Sequence, residues 1–212
     1  MPDSGRPAPL KLLLATTNPA KRERLAWVFS AVGFEFKTLE PADGPGPEES
    51  GASFLDNAQL KVRYWSTRSS DWVAASDGGI SIPALGHKWK SLHTARAAVR
   101  GATDHERADY LLELARGLSG NQRRVAWTEA LAVGRNGAVV TSWQRSLTQA
   151  RLAERLDPSR LRPGFWAASL CEVDTGGRTL AELSDAELAR FDRNWASLRR
   201  AVQAWRSHAA IR

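Results

Sequence analysis

Two long runs with strand-like alternation, Val125 to Arg135 and Ala138 to Leu147, are separated only by Asn136 and Gly137. An Asn-Gly pair suits the tight turn in which both central residues take positive φ, so the two runs are predicted to pair as an antiparallel hairpin. Upstream, the apolar run Leu10 to Thr16 leads directly into helix-start chemistry: Asn18 can cap, Pro19 suits a first turn, and Leu25, Val28, Phe29 and Val32 form a stripe. Gly33 is placed to end that helix, and Phe34 to Leu39 alternates as a strand. A second helix is predicted from the Ser53/Asp56 capping spacing to about Arg68, and a third from about Asp104 to Gly117. Trp72 to Ser76 and Gly79 to Ile82 read as two short strands around Asp77, Gly78 and Gly79, and Phe165 to Val173 as another strand. Ser184 and Glu187 have capping-box spacing and open the last helix. Its stripe of Leu188, Phe191, Trp195, Leu198, Val202 and Trp205 has the three-and-four spacing of core or dimer packing rather than of a ligand site. Interleaved strands and helices of this kind make an α/β protein.

At 212 residues the chain suits one domain, residues 10–212, with two lobes and a polar, Pro/Gly-rich flexible tail over residues 1–9. Nine tryptophans require several to lie in the core, an interface or a pocket wall. The single cysteine, Cys171, excludes an internal disulfide and points to a cytoplasmic address. Leu12 to Ala15 is far too short to cross a bilayer, so no membrane association is expected. The net charge is +7, but 24 of the 30 basic residues are Arg, scattered without a basic run. That distribution argues against nucleic acid as the main partner and suits a small polyanion equally well.

Three segments carry chemistry together. In the first, Ala15 to Lys21, a strand turns into a helix, so that helix-start N–H groups, Thr16, Asn18 and the Lys21 ammonium can point at one anion; the bland alternative is a capped helix with a solvated lysine. In the second, Glu48 to Lys61, Asn57 and Lys61 share a helix face near a loop carrying Glu48 and Glu49. Carboxylate, amide and lysine side by side suit a Mg²⁺–phosphate site, although an incidental Asn-Lys pair on an exposed helix has the same spacing. In the third, Asp77 ends an apolar strand before two glycines, where an acid is either a turn residue or a group that ligates metal or orients water.

In this order and spacing the segments resemble the inosine triphosphate pyrophosphatase family, hydrolases of non-standard purine nucleoside triphosphates. Its T-x-N-x-x-K turn is matched by Thr16, Asn18 and Lys21. Its E-x-G-x-(S/T)-F-x-x-N-A-x-x-K run is matched by Glu49, Gly51, Ser53, Phe54, Asn57, Ala58 and Lys61. Its D-D-S-G-L motif is echoed by Ser76 to Ile80, its S-A-R by Thr94 to Arg96, and its closing A-E-(L/M)-S by Ala181 to Ser184. The resemblance implies an extended, twisted mixed sheet flanked by helices, two lobes around a central cleft, and a homodimer. It implies water attack at the α-phosphorus of a nucleoside triphosphate with Mg²⁺ as cofactor, giving a monophosphate and pyrophosphate. By the same resemblance Asp77, Lys21 and Lys61 are catalytic, Glu49 and Asp77 hold metal, and Thr16, Asn18, Asn57 and Ser76 bind substrate.

The departures concentrate at one end. The first acid of the family's acidic pair is Ser76, with Glu48 available to compensate. The G-F-G-Y-D-P segment becomes Gly164 to Ser169, keeping Phe165 but losing Tyr, Asp and Pro, and of the closing K…S-H-R only Arg193 is kept. Phe165, Trp166 and Arg193 are therefore the expected base pocket, and its rewriting predicts specificity moved away from six-keto purines. Two rivals remain: a catalytically silent nucleotide-binding homologue, favoured by the lost acid, and a nucleic-acid-binding module, motivated by charge.

Overall fold

The computed structural model describes residues 10–96, 98 and 101–208, so the expected tail over residues 1–9 lies outside the described residues. Asn18 caps helix α1 (Pro19–Phe29) through its side-chain oxygen, which accepts from the Lys21 amide, and Gly33 closes the following turn at φ 76°. Ser53 does the same for α2 (Phe54–Ser66), accepting from the Asp56 amide. In the hairpin turn Asn136 and Gly137 adopt φ 54° and 77°, the left-handed values that the sequence reading required.

Six strands form one mixed sheet: β1 (Lys11–Leu14), β2 (Glu35–Thr38), β3 (Trp72–Ser81), β4 (Arg124–Arg135), β5 (Ala138–Leu152) and β6 (Cys171–Glu172). Their order is β2-β1-β3-β4-β5-β6; β1 runs parallel to β2 and β3, and every pair from β3 to β6 is antiparallel. Helices α3 (Asp104–Leu114), α4 (Asp185–Phe191) and α5 (Arg193–His208) complete the α/β fold, which is the expected mixed sheet with flanking helices. No helix among the described residues is long and apolar enough to cross a membrane.

Strand alternation divides the core by face. Leu13, Val73, Ala75, Ala130 and Ala132 pack under Ala58 and Val62 of α2. Leu12, Leu14, Ala74, Leu131 and Val133 pack on the opposite face under α1 and α5. A third cluster around Ile80, Leu111, Trp127, Leu152 and Leu170 fills the other end of the sheet. Because β1 pairs with β3 only as far as Ala74, the continuation of β3 beyond it leaves an open edge, and the candidate site residues gather there.

Three expectations are corrected. The two short strands around Asp77 are one continuous β3, because Gly78 and Gly79 stay extended and paired with Glu129 and Thr128. They are glycines for want of space: a Cβ at Gly78 would lie 2.2 Å from Glu129 Oε2, and one at Gly79 2.6 Å from Thr94 Oγ1. Phe165 to Val173 is a strand only at Cys171–Glu172; Trp166–Leu170 forms a buried 3-10 turn, and apolar periodicity over so short a run cannot separate the two. The last helix is broken at Asp192, whose carboxylate accepts from Thr148 Oγ1 and the Trp195 amide and so restarts the chain as α5. The apolar stripe still packs as core, with Leu188 and Phe191 in the far cluster and Trp195, Leu198, Val202 and Trp205 of α5 packing with α1 on the sheet.

Candidate active site

Asp77 is the hub. Its side chain is only 8% exposed, and its Oδ1 meets Lys61 Nζ at 3.2 Å and Lys21 Nζ at 3.4 Å. Its Oδ2 accepts from Asn57 Nδ2 at 3.1 Å. The three partners arrive on two elements: Lys21 from the first turn of α1, Asn57 and Lys61 one turn apart on α2. Asn57 is itself fixed because its Oδ1 accepts from the Gly51 amide at 2.8 Å, an approach that a Cβ at Gly51 would block at 2.6 Å. Lys61 also reaches Glu49 Oε1 at 2.6 Å and the Ser76 carbonyl at 3.3 Å. One ammonium thus bridges two carboxylates, and the sequence-predicted Lys21, Glu49, Asn57, Lys61 and Asp77 converge within direct contact.

Above this hub lies a cleft of about 680 Å³, with Thr16, Asn18, Lys21, Glu49, Lys61, Phe165 and Trp166 in its wall. The Thr16 hydroxyl accepts from the Asn18 amide at 3.2 Å. Asn18 then spans the cleft, its Nδ2 donating at 3.1 Å to the carbonyl of Gly164, next to Phe165. The turn before α1 and the aromatic wall are therefore tied by one side chain. Phe165 packs tilted against Trp127 with ring centroids 5.2 Å apart, and Trp166 is buried edge-on against Trp89. Five of the nine tryptophans, Trp27, Trp65, Trp127, Trp166 and Trp195, contribute to the cleft wall.

Two sequence candidates lie elsewhere. Arg193 is exposed at the start of α5 and is not among the residues lining the cleft. Ser76 is buried beside the hub but on the opposite face of β3 from Asp77, and its Oγ has no hydrogen-bond partner among the described residues.

Three cleft residues went unnoticed in the sequence. Arg24 and Arg162 bring two further cations to the wall. Arg24 is one helical turn from Lys21, a spacing that could have exposed it; Arg162 had no such signal. Glu129 is 4% exposed on β4 directly opposite Gly78. Its Oε1 accepts from Trp127 Nε1 at 2.6 Å, while its Oε2 has no partner among the described residues. Burial pushes this carboxyl up to about 8; Lys21 and the Trp127 bond oppose the rise, and the charges of Asp192 and Asp77 add to it.

The donor set suits a hard divalent cation. Glu49 and Asp77 offer carboxylate oxygens next to the ammonium groups of Lys21 and Lys61, and Mg²⁺ is commonly held by one or two carboxylates together with substrate phosphates and water. Among the described residues no group of three or more His, Cys, Asp or Glu side chains could hold a metal without such help.

A family model, the Ham1 family, matches residues 12–204. The chain belongs to the Ham1 family. This bears out the resemblance drawn from the Thr16–Lys21, Glu49–Lys61 and Ser76–Ile80 segments. Among curated relatives, a dITP/XTP pyrophosphatase of Thermus thermophilus is 32% identical over 197 residues, covering 93% of this chain and 92% of its own. One from Geobacillus kaustophilus is 30% identical, covering 92% and 94%. Among solved structures, a nucleoside-triphosphatase / dITP/XTP pyrophosphatase of Mycobacterium abscessus aligns with a TM-score of 0.65 at 27% identity, over 92% of this chain and 97% of that one. A HAM1 protein of Coxiella burnetii shares the fold with a TM-score of 0.76 at 22% identity, over 92% and 99%.

Proposed function

We propose that the chain hydrolyses a nucleoside triphosphate at its α-phosphorus, releasing a nucleoside monophosphate and pyrophosphate. The observation that carries this reading is Asp77, held between Asn57 and the two lysines, Lys21 and Lys61, that line the cleft. Membership of a family whose curated relatives here are dITP/XTP pyrophosphatases supports it.

The triphosphate lies against Thr16, Asn18 and the first turn of α1, where helix-start N–H groups favour an anion. Lys21 and Lys61 transfer part of their pairing from Asp77 to phosphate oxygens, leaving Asp77 to orient and deprotonate the attacking water. Glu49 and Asp77 would hold Mg²⁺, which supplies neutralisation of the phosphate charge and polarises the phosphoryl group. Rate acceleration then comes from positioning and fixed charge rather than from covalent chemistry. The base enters the aromatic side, against Phe165 and Trp127. There the family's Tyr-Asp-Pro is replaced by Ala167, Ala168 and Ser169, so the edge-reading groups differ and selection moves away from that of six-keto purine enzymes. A homodimer accompanies this reading by family resemblance, and light scattering on the purified chain measures it.

The test is pyrophosphate and phosphate release with Mg²⁺ across a panel of ribo- and deoxynucleoside triphosphates, including ITP, XTP and modified pyrimidines. Pyrophosphate from a narrow subset, abolished by Asp77→Asn, supports the reading. Mg²⁺-dependent binding without release from any member would replace it with the silent binder, which the serine at Ser76 favours. Binding to DNA or RNA that falls steeply with salt and does not need Asp77 would point to the nucleic-acid module.

A further inference from the structure

The cleft does not end at the two lysines. Past Lys61 its wall continues along Leu39, Gly46, Pro47 and Trp65, residues that the hydrolytic reading leaves without a role. Trp65 stands one turn after Lys61 on α2 and belongs to the core cluster of Leu13 and Ala15, on the α2 face of the sheet. The wall of Phe165 and Trp127 lies on the other face, because Trp127 alternates in step with Leu131, which packs under α1 and α5. The cleft therefore passes around the open edge of β3, with an aromatic wall at each end and Lys21 and Lys61 between them.

The second wall is held in place by its own contacts. Tyr64 donates from its hydroxyl to the Pro45 carbonyl at 3.0 Å, and its ring meets Trp65 edge-on with centroids 5.0 Å apart. These contacts tie the loop over residues 44–47 to the end of α2, and the loop runs past the indole edge: a Cβ at Gly46 would lie 3.9 Å from Trp65 Nε1. Trp65 is only 4% exposed, yet its indole N–H has no acceptor among the described residues. The Trp72 indole is also unpartnered but is sealed from solvent, whereas that of Trp65 is not. A largely buried N–H on a cleft wall is satisfied by an acceptor that enters the cleft.

Charge sets the order of groups along this path. Two ammonium groups at the middle suit a chain of phosphates. Beyond them, Leu39, Pro47 and the Trp65 ring would strip water from a free terminal phosphate dianion and return no cation to it. A planar apolar group gains there from burial and ring contact.

We propose that this end is a second subsite, for a planar aromatic group carried on the terminal phosphate. The cleft then takes a phosphoanhydride with an aromatic group at each end, a class to which dinucleoside polyphosphates belong. The inference rests on the hydrolytic reading above and names its substrate class. Water adds to the α-phosphorus, the bond from that phosphorus to the α,β-bridging oxygen breaks, and one water proton is released. The products are the nucleoside monophosphate and a pyrophosphate that keeps its ester, so the same bond breaks with or without the second group.

The test uses the nucleoside triphosphate that the chain hydrolyses best or, failing turnover, binds most tightly. Its γ-phenyl and γ-methyl esters carry equal charge and differ in the ring. Wild type is expected to favour the phenyl ester by about 10-fold or more in kcat/KM for monophosphate release, and Trp65→Leu to lose most of that ratio. Leu39→Ala, on the opposite side of the subsite, should lower the ratio as well, and it keeps the test decisive if melting shows that Trp65→Leu is poorly folded. The dinucleoside tetraphosphate of the same base distinguishes two carriers of the ring: a rate matching the phenyl ester assigns the subsite to a second nucleoside, and a rate matching the methyl ester assigns it to a simple aromatic ester. Equal kcat/KM for the two esters in wild type would overturn the proposal. So would an equal loss on both esters in Trp65→Leu, which would put the ordinary nucleobase against Trp65. Calorimetric titration of the α,β-methylene analogues of the two esters with Mg²⁺ reads the same ratio as Kd. If no nucleotide is turned over, the hydrolytic reading fails while these titrations still decide the subsite.

Discussion

Replacing Glu129 by Gln should stabilise the protein, and by an amount that grows with pH. In the unfolded chain this carboxyl ionises near its ordinary value of 4.5, whereas burial in the folded protein pushes it up to about 8. Between those two values the folded state holds a proton that the unfolded state has released. Stability contributed by the group is complete below 4.5 and is lost as the pH rises toward 8, at about 1.4 kcal/mol per pH unit for one proton. The loss reaches about 3 kcal/mol at pH 7 and about 5 kcal/mol at pH 8 and above. Glutamine retains the acceptor for Trp127 and carries no titrating proton, so it escapes this penalty. Urea unfolding of both proteins without nucleotide, at pH 5, 6, 7 and 8, measures the difference directly. Asp192, whose carboxyl burial also raises, is common to both proteins and cancels in the comparison. Two stability curves that run parallel across this range would refute the reasoning, because they would mean that Glu129 is ionised in the folded protein from pH 5 upward.

Lys61→Met removes the ammonium that touches both Glu49 and Asp77 and leaves the two carboxylates facing each other, so kcat for pyrophosphate release should fall by about 100-fold or more. Arg123→Met strips a buried guanidinium that donates to the carbonyls of Ala115, Leu118, Leu152 and Ala153; of these Ala115 keeps the Leu118 amide, and with the other bonds lost chemical denaturation should show a loss of about 3 kcal/mol or more. Asn194→Leu should cost about 2 kcal/mol or more and raise KM, because Asn194 accepts from the Leu147 and Thr148 amides and donates to the Trp127 carbonyl at the β-bulge that aims Trp127 and Glu129. Melting curves and steady-state kinetics on that variant check both effects.

The sequence by itself determined the two-lysine end of the cleft, the end that we propose holds phosphate. Thr16, Asn18 and Lys21 lie within one turn, and Glu49, Asn57 and Lys61 within a loop and the helix that follows, so local backbone geometry delivers each group to one place. The hairpin was equally legible, because Asn136 and Gly137 are chemically suited to positive φ whatever surrounds them. Only the tertiary structure decided the other end. Glu129 is one acid in an alternating strand until the register sets it opposite Gly78, where a missing Cβ becomes the room that a buried carboxyl needs. Arg193 satisfies a motif in the chain, yet the break at Asp192 restarts the helix and leaves Arg193 exposed outside the cleft. The pair Gly78 and Gly79 looked like a turn because glycine permits one, and stayed extended because neighbouring strands and loops filled the space on both faces. Contacts within a turn or a helix are written in the spacing of residues, whereas contacts across a sheet depend on a register that no single strand contains.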